Sequence, residues 1–218
     1  MKHITSLAAN TARALCTGAI ALAIPAALVM PVMPAAAQTG DINAAVGALR
    51  AIGTMKARFV QIGRGGQQLT GVMYLKRPGK IRFQYANEVG LLIVSDGSRL
   101  TMIDYDVNQK QVWPIKRSPL AALLDPSRDV AQYATLMPTE HPDVVSLRVK
   151  DPEHPEYGVM TLIFQRAANA PGGMQLEGWV AVDSQNKVTK IFLENQQYGL
   201  EVSENQFRYR DINPRPKR

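Results

Sequence analysis

GVMYLKRPGKIRFQY, residues 71–85, has the pattern of a β-hairpin. Strand-forming residues fill its first half, Pro78-Gly79 is a typical turn, and residues 80–85 alternate between polar and apolar side chains. Because successive side chains of a strand point to opposite faces, Arg77 shares a face with two apolar residues of the first strand. An inward-facing arginine is costly unless hydrogen-bond acceptors meet it. We therefore predict that Arg77 is a latch beside an apolar cavity.

The same alternation continues along the chain and predicts a mostly β (α+β) fold. Asp41 is expected to cap a helix that ends near Ile52. Helical spacing between Ser118 and Pro138 predicts two short helices, the first capped by Ser118 and the second starting at Ser127, which we interpret as a lid. A sheet of about ten or eleven antiparallel strands is expected to curl into a barrel or half-barrel. Besides the hairpin, strands are predicted at residues 55–61, 91–94, 99–104, 111–115, 144–150, 158–166, 175–182, 187–194 and 199–209.

The N-terminus has the features of a cleavable signal peptide. Positive charge precedes an apolar run, and the small residues before Gln38 form an A-x-A cleavage site. We predict a signal peptide over residues 1–37 and one domain over residues 38–218, placed in the periplasm; an uncleaved membrane anchor is the alternative. Cys16 is the only cysteine and lies in the leader, so the mature chain has no disulfide.

Charge and residue content favour a binding protein over an enzyme. The formal net charge is +7, and loss of Lys2 and Arg13 with the leader reduces it by two. The basic residues are scattered, which disfavours nucleic-acid binding, while residues 208–218 are expected to form a frayed basic tail. His141 and His154 lack metal-ligand spacing, and no nucleophile motif occurs. We expect no catalysis, no metal and no cofactor.

The hairpin and the segments around it resemble the LolA family of periplasmic lipoprotein carriers. The resemblance rests on the signatures Phe59-x-Gln61, Lys76-Arg-Pro78 and Val94-Ser-Asp-Gly97, and on Ser118-Pro-Leu120 at the start of the lid. It implies an unclosed antiparallel barrel whose opening is covered by helices. It also implies that Arg77 bonds to the lid backbone, and that acylated outer-membrane lipoproteins pass from an inner-membrane ABC transporter, through this chain, to an outer-membrane receptor. We expect a monomer.

Apolar residues of the hairpin, of its neighbouring strands and of the lid are the candidates for contact with acyl chains, although for any single one of them ordinary core packing is the favoured role. A receptor of the same fold and a sensor module that binds a partner protein are alternative functions. The receptor would need an acylated N-terminal cysteine, for which Cys16 is poorly placed. The candidate cavity residues are Phe59, Met73, Leu75, Ile81, Phe83, Tyr85, Leu91, Ile93, Leu120, Leu123 and Leu124.

Overall fold

Eleven strands and two α-helices form the part of the chain that the computed structural model describes, residues 35–125 and 129–212, with side chains from residue 40 onward. The helices are α1 (Ala35–Ala51) and α2 (Ala121–Leu124). The strands are β1 (Thr54–Ile62), β2 (Gln68–Lys76), β3 (Lys80–Tyr85), β4 (Leu91–Ser95), β5 (Arg99–Asp104), β6 (Gln109–Pro114), β7 (Ala134–Met137), β8 (Val144–Lys150), β9 (Val159–Arg166), β10 (Met174–Val182) and β11 (Val188–Tyr198).

All eleven strands belong to one antiparallel sheet with the order β6-β5-β4-β3-β2-β1-β11-β10-β9-β8-β7. Strands that are neighbours in the sequence pair with each other, except that β6 does not pair with β7. The pairing of β1 with β11 joins the two halves of the sheet. Strands β6 and β7 lie at opposite ends of this order, so the sheet is an unclosed half-barrel. This confirms the predicted fold class, and it leaves a concave face for the helices to cover.

The concave face carries the main core of the protein. Alternate residues of β1, such as Met55, Ala57 and Phe59, are buried there, as the period of two requires. Helix α1 packs its buried stripe, which includes Ala45 and Leu49, against one half of this face. The lid, which we define as residues 115–125 and 129–133, belongs to the same core cluster, and its residues 130–133 contact both α1 and β8.

The lid differs from the two helices that its sequence predicts. Helix α2 is a single turn, and the hydroxyl of Ser118 donates to the carbonyl of Ile115 (3.0 Å) instead of capping the helix. The expected second helix is only a 3₁₀ turn at Val130–Tyr133, and the strand β7 follows it directly. Over a segment as short as β7, the spacing of the apolar residues fits both a helix and a strand. Pairing with β8 decides in favour of the strand. The expected start at Ser127 lies outside the described residues.

Helix α1 begins before Asp41, so the prediction of an N-cap there is wrong. Alanine is the strongest helix former, and the helix extends back to Ala35. Asp41 lies inside the helix and forms an ion pair with Arg166. Leader residues 1–34, with Cys16, lie outside the described residues, and cleavage before Gln38 remains a prediction. Within the residues that the structure describes, no helix is both apolar enough and long enough to cross a bilayer.

The predicted strand over residues 199–209 is also wrong, because β11 continues to Tyr198 and the chain then leaves the sheet. The segment after Gly199 crosses the convex face, where Val202 and Phe207 pack on residues of β4 and β5. The expected frayed tail is ordered as far as residue 212, and Tyr105 donates to the carbonyl of Arg210 (3.0 Å). Residues 213–218 lie outside the described residues. A second apolar cluster on the convex face therefore replaces the missing strand.

Candidate functional site

An apolar cavity of about 270 Å³ lies between the concave face of the sheet and the start of the lid. Strands β3 to β6, β10 and β11 supply its apolar walls. The lid covers it with Ser118, Pro119 and Leu120, the segment that precedes α2. Charged and polar residues of the loops after residue 155 and after β10 form its rim. The apolar wall consists of Phe83, Tyr85, Ile93, Leu100, Trp113, Trp179, Ala181 and Ile191.

Four of the eleven candidate cavity residues line this space: Phe83, Tyr85, Ile93 and Leu120. The other seven do not face it and are packed in or against the core that surrounds it. All but Leu91 among these seven have less than 5% of their surface exposed. Their role as contacts for a ligand therefore stays a prediction. The seven are Phe59, Met73, Leu75, Ile81, Leu91, Leu123 and Leu124.

Both tryptophans of the chain line the cavity, although the sequence does not assign either to it. Trp179 is 2% exposed, and its ring lies 6.0 Å from that of Phe83 in an edge-to-face arrangement. The pairing of β10 with β9 shifts by one residue between Leu176 and Gly178. This bulge brings Trp179 to the same face as Leu176, which simple alternation forbids. The glycine at position 178, with φ of 153°, is the local signal for it.

Tyr85 brings a polar group into the apolar wall. Its hydroxyl donates a hydrogen bond to Oε1 of Gln61 over 2.6 Å, so the buried group is satisfied. Burial raises the pKa of Tyr85, because the phenolate form would lose its hydration. The phenol thus remains neutral, and the cavity wall carries no charge at this point.

Arg77 ties the hairpin to the lid. Its Nη2 atom donates to the carbonyl oxygen of Leu123 over 2.8 Å, and the amide of Gly79 donates to the carbonyl of Leu124 over 3.2 Å. The last carbonyls of a helix lack partners within the helix, so the turn after β2 supplies donors to the end of α2. The contact expected between the arginine and the lid backbone is present. Its role as a latch remains a proposal.

Burial of the Arg77 guanidinium has an unfavourable free energy. Burial lowers the pKa of Arg77, and the positive charge of Arg50 on α1 lowers it further. Its buried Nε atom has no hydrogen-bond partner among the described residues. A buried donor without a partner costs about 1–3 kcal/mol. The charged contact between Arg77 and the lid therefore carries an energetic cost. In a core selected for stability alone, an apolar residue would be expected at this position.

The turn that follows the Lys76-Arg-Pro78 signature lies against the Val94-Ser-Asp-Gly97 signature. Ser95 donates to the carbonyl of Gly79 over 2.6 Å, and a Cβ on Gly79, whose φ is 71°, would lie 2.5 Å from the carbonyl oxygen of Gly97. The turn that carries Arg77 is therefore positioned by the turn after β4. Both signatures serve the same contact, which explains why they occur together.

The site has the chemistry of a binding protein. Within residues 40–125 and 129–212, no cluster of three or more histidine, cysteine or acidic side chains could hold a metal ion. What converges here is an apolar space under a small lid, with one hydrogen bond from a charged side chain, Arg77, to the lid backbone. Such an arrangement can shield apolar surface from water and expose it again.

Comparison with known proteins identifies relatives over most of the chain. The family model described as outer membrane lipoprotein carrier protein LolA matches residues 50–210. An outer-membrane lipoprotein carrier protein of Chromohalobacter salexigens is 28% identical over 200 residues, covering 87% of this chain and 91% of that protein. The protein of the same name from Methylobacillus flagellatus is 25% identical over 196 residues, covering 86% and 93%.

Solved structures show a more distant likeness. A LolA-superfamily protein from Nitrosomonas europaea aligns with 79% of this chain and 97% of its own, at a TM-score of 0.42 and 11% identity. An uncharacterised conserved protein from Thermus thermophilus aligns with 77% of this chain and 93% of its own, at a TM-score of 0.47 and 15% identity.

Proposed function

The chain belongs to the LolA family of outer-membrane lipoprotein carrier proteins, and from that membership we propose that it is a periplasmic chaperone for lipoproteins. It binds the acyl chains of outer-membrane lipoproteins in the cavity under the lid. It receives them from an inner-membrane lipoprotein-releasing ABC transporter and delivers them to an outer-membrane receptor. The chain acts as a monomer, without catalysis and without a cofactor. The leader over residues 1–37 exports it and is removed.

The observation that carries this proposal is the bond from Arg77 to Leu123 above an apolar cavity. Burying an acyl chain of about fifteen methylenes is worth roughly 12 kcal/mol, at about 0.8 kcal/mol for each methylene. A triacylated protein therefore needs a carrier to cross water. The carrier must also release its cargo, so its lid should be held by a contact of modest strength.

The cavity under the lid is too small for the proposed cargo, so this structure corresponds to a closed position of the lid. An engineered cavity of ~150 Å³ holds one benzene ring, so about 270 Å³ holds roughly eleven carbon atoms on the same scale. That is less than one acyl chain of a lipoprotein, which carries up to three. Loading then requires the lid to move away from the sheet, and Arg77 must release the Leu123 carbonyl when it does.

The experiment that tests the proposal is capture of a lipoprotein by the mature chain. Spheroplasts that synthesise a radiolabelled outer-membrane lipoprotein are incubated with the purified mature protein. We expect a complex in the supernatant that contains both proteins and that delivers the label to outer membranes. Recovery of all the label with the spheroplasts would contradict the carrier function. Capture followed by no delivery would instead favour a sensor or a binding module of the same fold.

The capture experiment has a matched control within the same hairpin. Arg77→Leu should change how much lipoprotein is retained, because the bond to the lid is lost. Arg82→Leu makes the same chemical change on the convex face, where Arg82 donates to the carbonyl of Arg208 over 2.9 Å, and should leave capture unchanged. Equal retention of lipoprotein by the two variants would contradict the latch role of Arg77 but would not contradict the carrier function.

A further inference from the structure

Two cations on the rim of the cavity have no partner among the residues that the structure describes. Arg117 precedes the covering segment of the lid, and Lys187 precedes β11; both line the cavity and both are exposed. Neither side chain forms a hydrogen bond or an ion pair within residues 40–125 and 129–212. Their donors are therefore available to a molecule that occupies the cavity.

Two carboxylates share the rim, but local donors already occupy them. Oδ1 of Asp183 accepts the backbone N–H groups of Gln185 and Lys187, each over 2.9 Å. The backbone N–H of Glu156 hydrogen-bonds to the carboxylate of the same residue, and Nδ1 of His154 lies 3.1 Å from that carboxylate. These two contacts hold the pKa of Glu156 below its ordinary value. The rim therefore carries two positive and two negative side chains, and the carboxylates already accept hydrogen bonds whereas the donors of the two cations are not used within the described residues. Such charged donors form strong hydrogen bonds with carboxylate and phosphate groups.

We propose that the closed protein binds a single-chain amphiphile with an anionic head group in this cavity. The chain lies against the apolar wall, and the carboxylate or phosphate head lies between Arg117 and Lys187. The inference rests on the proposed function only in that the cavity is taken to accept acyl chains. It requires neither lid opening nor transfer to a receptor, so the ligand differs from the triacylated cargo.

The cavity volume sets the length of chain that fits. Space for roughly eleven carbon atoms, estimated above from the benzene cavity, means that affinity should rise with chain length up to about C12 and then level off. Each methylene buried below that limit should tighten binding about fourfold. Each exposed cation should contribute about threefold, so an anionic head should bind about tenfold more tightly than an uncharged one.

The two tryptophans provide the assay, because Trp113 and Trp179 are the only ones in the chain and both line the cavity. The mature protein is titrated with saturated carboxylates from C8 to C16, below their micelle concentrations, while tryptophan emission is recorded. Dodecyl phosphate, dodecanol and dodecyltrimethylammonium are titrated in parallel. We expect both anions to bind more tightly than the alcohol, and the ammonium compound to bind most weakly. A preference between carboxylate and phosphate would tell whether fatty acids or lysophospholipids are the source.

Paired variants separate the head-group site from the apolar wall. Arg117→Gln with Lys187→Gln should weaken dodecanoate binding about tenfold and leave dodecanol binding unchanged. Arg64→Gln with Lys190→Gln removes two exposed cations elsewhere and should have no effect on either ligand. Equal affinity for all head groups, no binding of any ligand, or equal effects of the two double variants would overturn the proposal. If lipoprotein capture fails while selective binding of anions persists, the proposed carrier function is wrong, whereas the anion site at Arg117 and Lys187 is supported.

Discussion

Replacing Arg77 by leucine should loosen the lid by about tenfold. A hydrogen bond from a charged donor contributes roughly 1.5–3 kcal/mol, and the bond from Nη2 to the Leu123 carbonyl, at 2.8 Å, has good geometry. The same substitution also removes a buried guanidinium whose Nε has no partner among the described residues, which returns part of that energy. We therefore take the lower end, and about 1.4 kcal/mol corresponds to a tenfold shift in the equilibrium between closed and open lid.

Hydrogen exchange measures this shift directly. The amides of Leu124 and Asp125 donate within α2, to the carbonyls of Leu120 and Ala121, and they exchange when the lid opens. In Arg77→Leu their exchange should accelerate about tenfold. In Arg82→Leu, which cuts a contact on the convex face, it should stay within twofold of the wild type. Exchange at α2 that is equal in Arg77→Leu and the wild type would refute the latch.

Three further predictions concern stability, measured by urea unfolding. Phe59→Ala should cost about 3–5 kcal/mol, because Phe59 is fully buried, whereas Phe192→Ala, at a site 42% exposed, should cost less than about 1 kcal/mol. Two lysine ammonium groups lower the pKa of Glu204 from 4.5 to about 2. The stability that Glu204 contributes is therefore present above its ordinary pKa and is lost as pH falls toward 2. Glu204→Gln should flatten that acid dependence, and an acid dependence equal to that of the wild type would contradict the contact with the two lysines. Gly79→Ala should cost about 1–3 kcal/mol, since φ is 71° and the new Cβ would meet a carbonyl; an unchanged midpoint would contradict the packing of the two turns.

The fold was predictable where one face of a strand is buried along its whole length. The hairpin around Pro78 follows from alternation and turn chemistry alone, and the structure confirms it. Prediction failed at β7 and after Tyr198, where the segments are short or the local pattern fits two structures. Residues 199–209 contain apolar side chains at strand-like spacing, but these pack on the convex face of the sheet. Long-range packing decides the layer of the fold that a segment joins, and the local hydrophobic periodicity does not indicate it.

The general character of the site was predictable from the sequence, but several of the residues that form it were not. Arg77 was identifiable because a charge in an apolar row requires an acceptor, and the structure supplies the Leu123 carbonyl. Trp179 was not identifiable, because a bulge at Gly178 reverses the face on which it lies. Arg117 lies in the lid and Lys187 in the loop before β11, far apart in the sequence, and only the tertiary fold brings both to one rim.

Core packing and cargo binding are not competing roles for the seven candidate residues outside the cavity. Leu123 and Leu124 of the lid are buried in the same core cluster as Met73, Leu75 and Ile81 of the sheet. If the lid opens as proposed, apolar surface of this cluster would be exposed to water, which is unfavourable. An acyl chain that entered the gap would bury that surface again. We therefore expect these residues to contact acyl chains only after the bond from Arg77 is broken.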